Sequence, residues 1–377
     1  MSPQNRFAEF AESLESALGL GGEKTALFIE TLSKQMGPTL NRWEKQIFKP
    51  KGGLNLRSLR EELGKAYGQL LRDMPWSLEE IVPLMARSKD ILGELVRPEE
   101  LLPHLLTFGQ KYFFNSKWDS PIDEFGMDPE VVESIRPLFE FLYNEYWRVQ
   151  VEGIENIPAK GAGLLVGNHS GALPYDGAMI DVAVIKKHRK HRTVRFLVED
   201  FVYHFPFLGT FIHRIGGVRA CPENATWLLN KGELVVVFPE GVKGLGKLYR
   251  DRYQLQRFGR GGFIRLALRT GAPIIPTAVI GAEEIHPIIW KSSILAKSMQ
   301  VPYLPVTPTF PWLGPVGMIP FPTRWKIIFG KPIVFDKYKL KDADDNLLVH
   351  KLAEEVRQTI QKMINGALKK RRSVWFG

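Results

Sequence analysis

His169 and Asp176 are the residues of this sequence best suited to proton transfer. His169 follows the apolar run 164–166 by three positions, which places it just beyond a buried strand. A neutral imidazole there can take a proton from an attacking hydroxyl, an effect worth roughly 10²–10⁴ in rate. A carboxylate on the second ring nitrogen would fix the tautomer and stabilise the imidazolium. Asp176 is the nearest carboxylate, and Asp181 in the following helix is the alternative.

Ser170, next to His169, raises the question of a serine nucleophile. The sequence around it lacks the Gly-x-Ser-x-Gly elbow of serine hydrolases. A nucleophile directly adjacent to its base in sequence usually points the other way. The pattern therefore disfavours an acyl-enzyme formed on Ser170.

A second polar turn follows the apolar run 234–237. Its sequence is Phe-Pro-Glu-Gly at 238–241, with Glu240 as its single carboxylate. Glu240 either accepts main-chain N–H bonds within the turn or helps to hold a substrate near His169. The cations that follow suit phosphate groups through charge-assisted hydrogen bonds, or form a solvated basic face. They are Lys243, Lys247, Arg250, Arg252, Arg257 and Arg260.

Short β-branched runs alternate with helical segments from residue 149 onward. This pattern predicts an α/β fold, with a mostly parallel sheet flanked by helices, preceded by an N-terminal helical region. We divide the chain into the helical region (1–118), the α/β domain (119–340) and a C-terminal amphipathic helix with a basic tail (341–377). Predicted strands are 148–153, 163–168, 193–198, 233–238, 273–280 and 325–330; predicted helices of the same part are 128–147, 175–188, 205–214, 222–231, 259–270 and 343–368.

Composition restricts the partners. The chain has 51 Lys and Arg against 41 Asp and Glu, and its net charge of +10 favours anionic partners. The single cysteine, Cys221, excludes a disulfide framework and a thiolate cluster, and we expect no metal site. We find no signal-like segment and no uncharged apolar run of about 18 residues, so we expect peripheral rather than spanning membrane contact.

The end of the chain predicts contact with an anionic membrane. The amphipathic helix is followed by Lys-Lys-Arg-Arg-Ser-Val-Trp-Phe at 369–376. Four cations beside two aromatics suit an anionic bilayer, at roughly 1 kcal/mol per cation, whereas a frayed, solvated tail is the alternative. The aromatic, proline-rich segment 285–324 is either a buried crossover or a rim at the bilayer interface. We expect no nucleic-acid partner.

Three runs resemble the successive motif blocks of the glycerolipid acyltransferase superfamily, which includes the lysophosphatidate and glycerol-3-phosphate acyltransferases. The blocks are His169 with Asp176, the run 238–241, and Gly-Ala-Pro-Ile-Ile-Pro at 271–276. Their order and spacing match over residues 150–335. The runs 257–263 and 281–284 are more similar to the diacylglycerol acyltransferase branch.

The resemblance implies a peripheral membrane O-acyltransferase on the cytoplasmic side. His169 would deprotonate the hydroxyl of a lysophospholipid, glycerol phosphate or diacylglycerol, which attacks the thioester of acyl-CoA or acyl carrier protein. Asp176 would orient His169, and no further cofactor is implied. A hydrolase of the same fold and a non-catalytic lipid-binding membrane protein are the alternatives. The implied substrate-binding residues are Arg219, Glu240, Gly241, Lys243 and Pro276.

The sequence departs from the family pattern in two places. The family usually has four residues between its His and Asp, whereas six separate His169 from Asp176. We therefore expect a longer turn at the site. The second block often carries an acidic–arginine pair for acceptor phosphate, and here Arg219 stands slightly early. This difference keeps a neutral alcohol such as diacylglycerol open as the acceptor.

Overall fold

The computed structural model describes residues 121–377 except 172, 174, 205–207, 293–295, 297–301, 308–309, 311–317 and 319. The predicted N-terminal helical region lies outside the described residues, as does much of the aromatic, proline-rich segment. The described residues fall into two compact units. The larger one spans 121–247, 251–286 and 320–377, and the other includes 248–250 and parts of 287–319.

A seven-stranded sheet forms the centre of the larger unit. Its strands are β1 (Gln150–Glu152), β2 (Gly163–Gly167), β3 (Val194–Val198), β4 (Gly217–Arg219), β5 (Leu234–Val237), β6 (Ile274–Ile280) and β9 (Lys326–Phe329), while β7 (Trp290–Ser292) and β8 (Leu304–Val306) form an antiparallel pair in the other unit. The order in the sheet is β1-β9-β6-β2-β5-β3-β4, and the strands are parallel except at the β6–β9 pair, which is antiparallel. The predicted fold class, a mostly parallel sheet flanked by helices, is confirmed.

Helices cover both faces of the sheet, which explains why its central strands are apolar without alternation. The helices are α1 (Pro129–Phe141), α2 (Tyr175–Lys187), α3 (Leu208–Arg214), α4 (Pro222–Asn230), α5 (Val242–Leu245), α6 (Gly262–Thr270) and α7 (Asn346–Leu368). Leu164 of β2 packs into one core with α4, α6 and α7, and Leu165 packs into a second core with α2.

Local signals set the helix starts. Asp128 caps α1 by accepting the N–H groups of Glu130 and Val131, and Pro129 occupies the first helical position. Asp345 caps α7 by accepting from Leu347 and Leu348. Each of the six predicted strands is present within two residues of its bounds, whereas the three-residue strands β4, β7 and β8 were not predicted.

Candidate active site

The site lies at the carboxyl edge of the parallel strands, where ligands bind in open α/β sheets. β2 and β5 are hydrogen-bonded neighbours, with Val166 opposite Val237. His169 follows the end of β2 by two residues, and Phe238 begins the turn directly after β5. The two predicted polar turns therefore lie side by side.

Asp176 contacts the His169 ring. Oδ2 of Asp176 lies 2.8 Å from Nδ1 of His169 and accepts the Ser170 N–H at 3.0 Å. Its Oδ1 accepts the Gly177 N–H at 2.9 Å, and the Asp176 side chain is completely buried. Because an ionised carboxylate only accepts, this arrangement holds the Nδ1–H tautomer and leaves the lone pair on Nε2.

The chain returns Asp176 to the His169 ring after six intervening residues. Gly171 has a φ of +81°, a left-handed conformation that favours glycine. α2 then begins at Tyr175, so Asp176 lies in its first turn. The alternative partner, Asp181, lies further along α2 and accepts the Val194 N–H at 2.7 Å. The structure therefore brings Asp176 to His169 and places Asp181 against β3.

Phe238 fixes the plane of the imidazole. The Phe238 and His169 rings stack with their centroids 4.3 Å apart and an interplanar angle of 7°. Stacking on one face and the Asp176 contact at one edge restrict both torsions of the His169 side chain. In the sequence Phe238 stands out only as part of its motif, and no separate signal predicts this contact.

Glu240 bonds to the main chain of the site. Its Oε1 accepts the His169 N–H at 3.0 Å, and its Oε2 accepts the Gln256 N–H at 2.7 Å. Nζ of Lys247 lies 3.2 Å from Oε2, and the Glu240 side chain is completely buried. Of the two interpretations drawn from the sequence, these contacts match the one in which Glu240 accepts main-chain N–H bonds. Both donors, however, lie outside the turn 238–241.

The glycines of the second turn allow this close approach. Gly241 has a φ of +55° and stands at the N-cap of the short helix α5. Gly244 in α5 lies against both His169 and Glu240, with no room for a side chain. Lys243 of the same helix is exposed to solvent. The substrate contacts expected of Gly241 and Lys243 stay predictions.

Arg219 and Pro276 lie in different surroundings. Arg219 ends β4 at the carboxyl edge and is exposed, and its guanidinium donates twice to Asp200, at 2.6 and 2.8 Å. Pro276 is buried within β6, opposite Val166 of β2, and its carbonyl accepts the Gly330 N–H. This position assigns Pro276 to the interior of the sheet rather than to its edge, so the geometry does not support the substrate contact predicted for it.

The basic tail folds back onto the larger unit at the same edge. The main-chain carbonyl of Val374 accepts the N–H of Arg324, which lies two residues before β9. The first residue of β9 pairs with Ile280, the last residue of β6. Arg371 is mostly buried, with Nη1 2.7 Å from Oε2 of Glu284. The expectation of four equivalent surface cations was therefore wrong for Arg371, because tertiary packing has given it an internal carboxylate partner.

Comparison with known proteins identifies the family. Residues 148–280, which contain the His169 and Glu240 turns, match the family model described as Acyltransferase. An uncharacterised protein of Mycobacterium tuberculosis (strain ATCC 25618 / H37Rv) is 48% identical over 260 residues, 69% of this chain and 73% of its own. This chain belongs to the glycerolipid acyltransferase superfamily.

Two further similarities are to a more distant relative and to a solved structure. A Gallus gallus protein named "DGAT1/2-independent enzyme synthesizing storage lipids" is 26% identical over 57% of this chain and 58% of its own. This chain is also similar to the crystal structure of the 1-acyl-sn-glycerophosphate (LPA) acyltransferase PlsC from Thermotoga maritima, with a sequence identity of 17%. It aligns with a TM-score of 0.44 over 74% of this chain and 99% of its own. Among the helices that the structure describes for this acyltransferase, none is both long and apolar enough to cross a bilayer.

Proposed function

We propose that this acyltransferase moves a fatty acyl group from a thioester donor, acyl-CoA or acyl carrier protein, to a hydroxyl of a lipid at a membrane surface. The observation that carries the proposal is the buried Asp176 carboxylate 2.8 Å from Nδ1 of His169, at the carboxyl edge of the sheet. This contact leaves Nε2 as the nitrogen that accepts the hydroxyl proton. Among the described residues, no side chain or main-chain group bonds to Nε2.

The reaction proceeds in two proton transfers. Nε2 of His169 takes the acceptor hydroxyl proton as the oxygen attacks the thioester carbonyl, and Asp176 stabilises the imidazolium that forms. Collapse of the tetrahedral intermediate breaks the carbon–sulfur bond, and the imidazolium returns the proton to the departing thiolate. The thioester is already activated, so the step needs only the acyl donor as co-substrate. Glu240 and Phe238 act by positioning His169.

We further propose that the acceptor is a neutral lipid alcohol such as diacylglycerol. Arg219, the arginine nearest to the family's phosphate-binding position, is engaged at two nitrogens by Asp200. A guanidinium already paired with a carboxylate offers less attraction to a phosphate. The name of the Gallus gallus relative, an enzyme synthesizing storage lipids, is consistent with this acceptor class.

We propose that the protein binds the membrane peripherally through its active-site edge. The tail lies at this edge, and Lys369, Lys370 and Arg372 are exposed there. Phe376, which is 38% exposed, adds an apolar contact beside the cations. This arrangement would hold the acceptor lipid close to His169, and we propose the cytoplasmic side of the membrane as its place.

A transfer assay with labelled acyl-CoA and diacylglycerol in anionic vesicles tests the proposal. We expect labelled triacylglycerol from the wild type and a loss of about 10²–10⁴ in kcat for His169→Ala. His350→Ala, a partly exposed histidine on α7, is the matched control and should keep the wild-type rate. Labelled free acid without ester would show a hydrolase. Equal rates for His169→Ala and the wild type would remove His169 from the chemistry.

The acceptor class is tested with Asp200→Asn. This change removes the charge that pairs Arg219, so we expect the use of lysophosphatidate relative to diacylglycerol to rise. Arg219→Gln should leave the diacylglycerol rate near that of the wild type. A wild type that prefers lysophosphatidate would contradict the neutral acceptor and leave the transfer chemistry standing.

A further inference from the structure

Lys247 is a buried lysine directly behind the candidate site. Its side chain is 5% exposed, and Nζ lies 3.2 Å from Oε2 of Glu240 and 3.0 Å from Oε1 of Glu283. The side chains of both carboxylates are buried as well, at 0% and 4% exposure. Burying an isolated ammonium or carboxylate is strongly unfavourable, so these three charges depend on one another.

The electrostatics of the cluster favour the charged form of the lysine. Burial lowers the pKa of Lys247, but the carboxylates of Glu283 and Glu240 outweigh this effect and raise it overall. Burial raises the pKa of Glu283, and the Lys247 ammonium opposes that rise. One ammonium therefore compensates two carboxylates that would otherwise repel each other.

Glu240 and Glu283 hold successive residues at the end of β2. Glu240 accepts the His169 N–H at 3.0 Å. Oε1 of Glu283 lies 3.4 Å from the Asn168 amide nitrogen, which also donates to the Val279 carbonyl at 2.9 Å. The Asn168 amide oxygen accepts the Val279 N–H at 2.8 Å. Glu240 thus binds the main-chain N–H of His169, and Glu283 contacts the side chain of the preceding residue, which also bonds to β6.

Glu283 also holds a strained residue in place. Tyr253 has a φ of +63°, which is unfavourable for a bulky side chain, and its N–H donates to Oε2 of Glu283 at 2.8 Å. Its carbonyl accepts from the Gln361 amide, and its hydroxyl accepts the Gly281 N–H. Strained backbone persists where the surroundings determine it from several sides, and such positions cluster at functional sites.

We propose that Lys247 is a positioning residue for the acyl transfer, which keeps Glu240 and Glu283 ionised so that Glu240 holds the main-chain N–H of His169 and Glu283 holds Asn168 beside it. The inference rests on the proposed function of His169. Without the ammonium, the repulsion between the two carboxylates would make one of them take up a proton. A protonated carboxyl is a weaker acceptor for the main-chain N–H, so the His169 ring would lose its fixed position.

The test compares Lys247→Met with the double variant Lys247→Met/Glu283→Gln. Methionine keeps most of the length of the side chain and removes its charge. We expect Lys247→Met to lower kcat about tenfold or more while KM for donor and acceptor stays near the wild-type value. The double variant removes the second carboxylate, so it should recover part of the lost kcat. Lys351→Met, an exposed lysine on α7, is the matched control.

Recovery in the double variant separates charge compensation from a purely structural role, since removing a second buried contact would otherwise lower kcat further. A folded Lys247→Met variant with wild-type kcat, or a double variant no better than the single one, overturns the proposal. If Lys247→Met does not fold, Glu283→Gln is compared with the double variant. A double variant as inactive as His169→Ala then overturns the proposal, and a rate within about tenfold of Glu283→Gln supports it.

The wild type and His169→Ala set the two limits of the assay. A wild type without transfer activity would contradict the proposed function itself. A wild type that transfers acyl groups, with no effect of Lys247→Met, would contradict only the role of Lys247.

Discussion

Gly244 lies directly against His169. A Cβ atom on Gly244 would be 2.9 Å from the Cβ of His169 and 2.7 Å from the Cβ of Glu240, closer than the 3.0 Å below which such contacts essentially do not occur. Neither neighbour can rotate away, because both atoms are attached directly to the main chain. The position of the candidate base therefore depends on a glycine that contributes no functional group.

Replacing Gly244 by alanine should lower kcat about tenfold or more with a smaller effect on KM. The added methyl group must push the His169 main chain or α5 away, and small displacements at a site cost much of its rate. Acyl transfer is measured alongside circular dichroism, which reports whether the variant remains folded.

Gly366→Ala is the control for this change. Gly366 lies in α7, and apart from the backbone of this helix no atom lies within 4 Å of the position that a Cβ would take. We expect wild-type activity and a gain of about 0.5–1 kcal/mol in the free energy of unfolding, because alanine is the better helix former. Equal activity in both glycine variants would show that the close contact at His169 does not limit catalysis.

Asp176→Asn should impair catalysis, whereas Asp181→Asn should not. An amide next to Nδ1 of His169 no longer fixes the productive tautomer and carries no charge to stabilise the imidazolium. We expect Asp176→Asn to lower kcat by about two orders of magnitude or more. Asp181→Asn should leave kcat near the wild-type value, since Asp181 accepts the Val194 N–H instead. A large loss in Asp181→Asn alone would return the orienting role to Asp181.

Asp181 should instead make stability depend on pH. Burial raises its pKa from 3.8 to about 7, so the folded protein retains a proton there that the unfolded chain has lost. The free energy of unfolding should therefore fall as pH rises between about 4 and about 7, and change little above that through this group. Asp181→Asn removes the ionisation and keeps an oxygen for the Val194 N–H.

The measurement is the Tm of both proteins between pH 5 and pH 8, in steps across this window. The Tm advantage of Asp181→Asn over the wild type should be larger at pH 8 than at pH 5. A difference that stays constant with pH would show that Asp181 is not the group responsible.

Much of the fold was predictable because the β strands are buried on both faces. Continuous apolar runs such as 164–166 and 234–237 mark such strands, and their ends place His169 and Glu240. The strand β4 was missed because glycines 216 and 217 indicate a turn rather than a strand. The turn to Asp176 was expected to be long and the start of α2 at residue 175 was predicted, but the conformation of Gly171 required the structure.

The support behind the site was harder to predict. Lys247 and Glu283 are 36 positions apart, and no local pattern distinguishes this lysine from its exposed neighbour Lys243. Likewise, Arg371 stands in a run of four cations, and only tertiary packing against Glu284 separates it from the others. Burial of a single charge in a basic segment is decided by distant partners, which spacing in the sequence does not record.

The tail provides the last prediction, on membrane binding. Deleting residues 369–377 would also remove the Arg371–Glu284 contact and the buried Trp375, so its effect would mix stability with binding. The triple variant Lys369→Gln/Lys370→Gln/Arg372→Gln changes only the exposed cations. At about 1 kcal/mol for each cation near an anionic surface, we expect roughly a hundredfold weaker binding to vesicles rich in phosphatidylserine.

Vesicle sedimentation at several salt concentrations measures this effect. Binding of the wild type should weaken as salt rises, because the attraction is screened, and the triple variant should show a smaller salt dependence. The matched control is the triple variant Lys187→Gln/Arg189→Gln/Lys190→Gln. These three exposed cations lie at the end of α2 or just after it, at the opposite edge of the sheet. If this control variant loses as much binding as the tail variant, the membrane does not select the active-site edge.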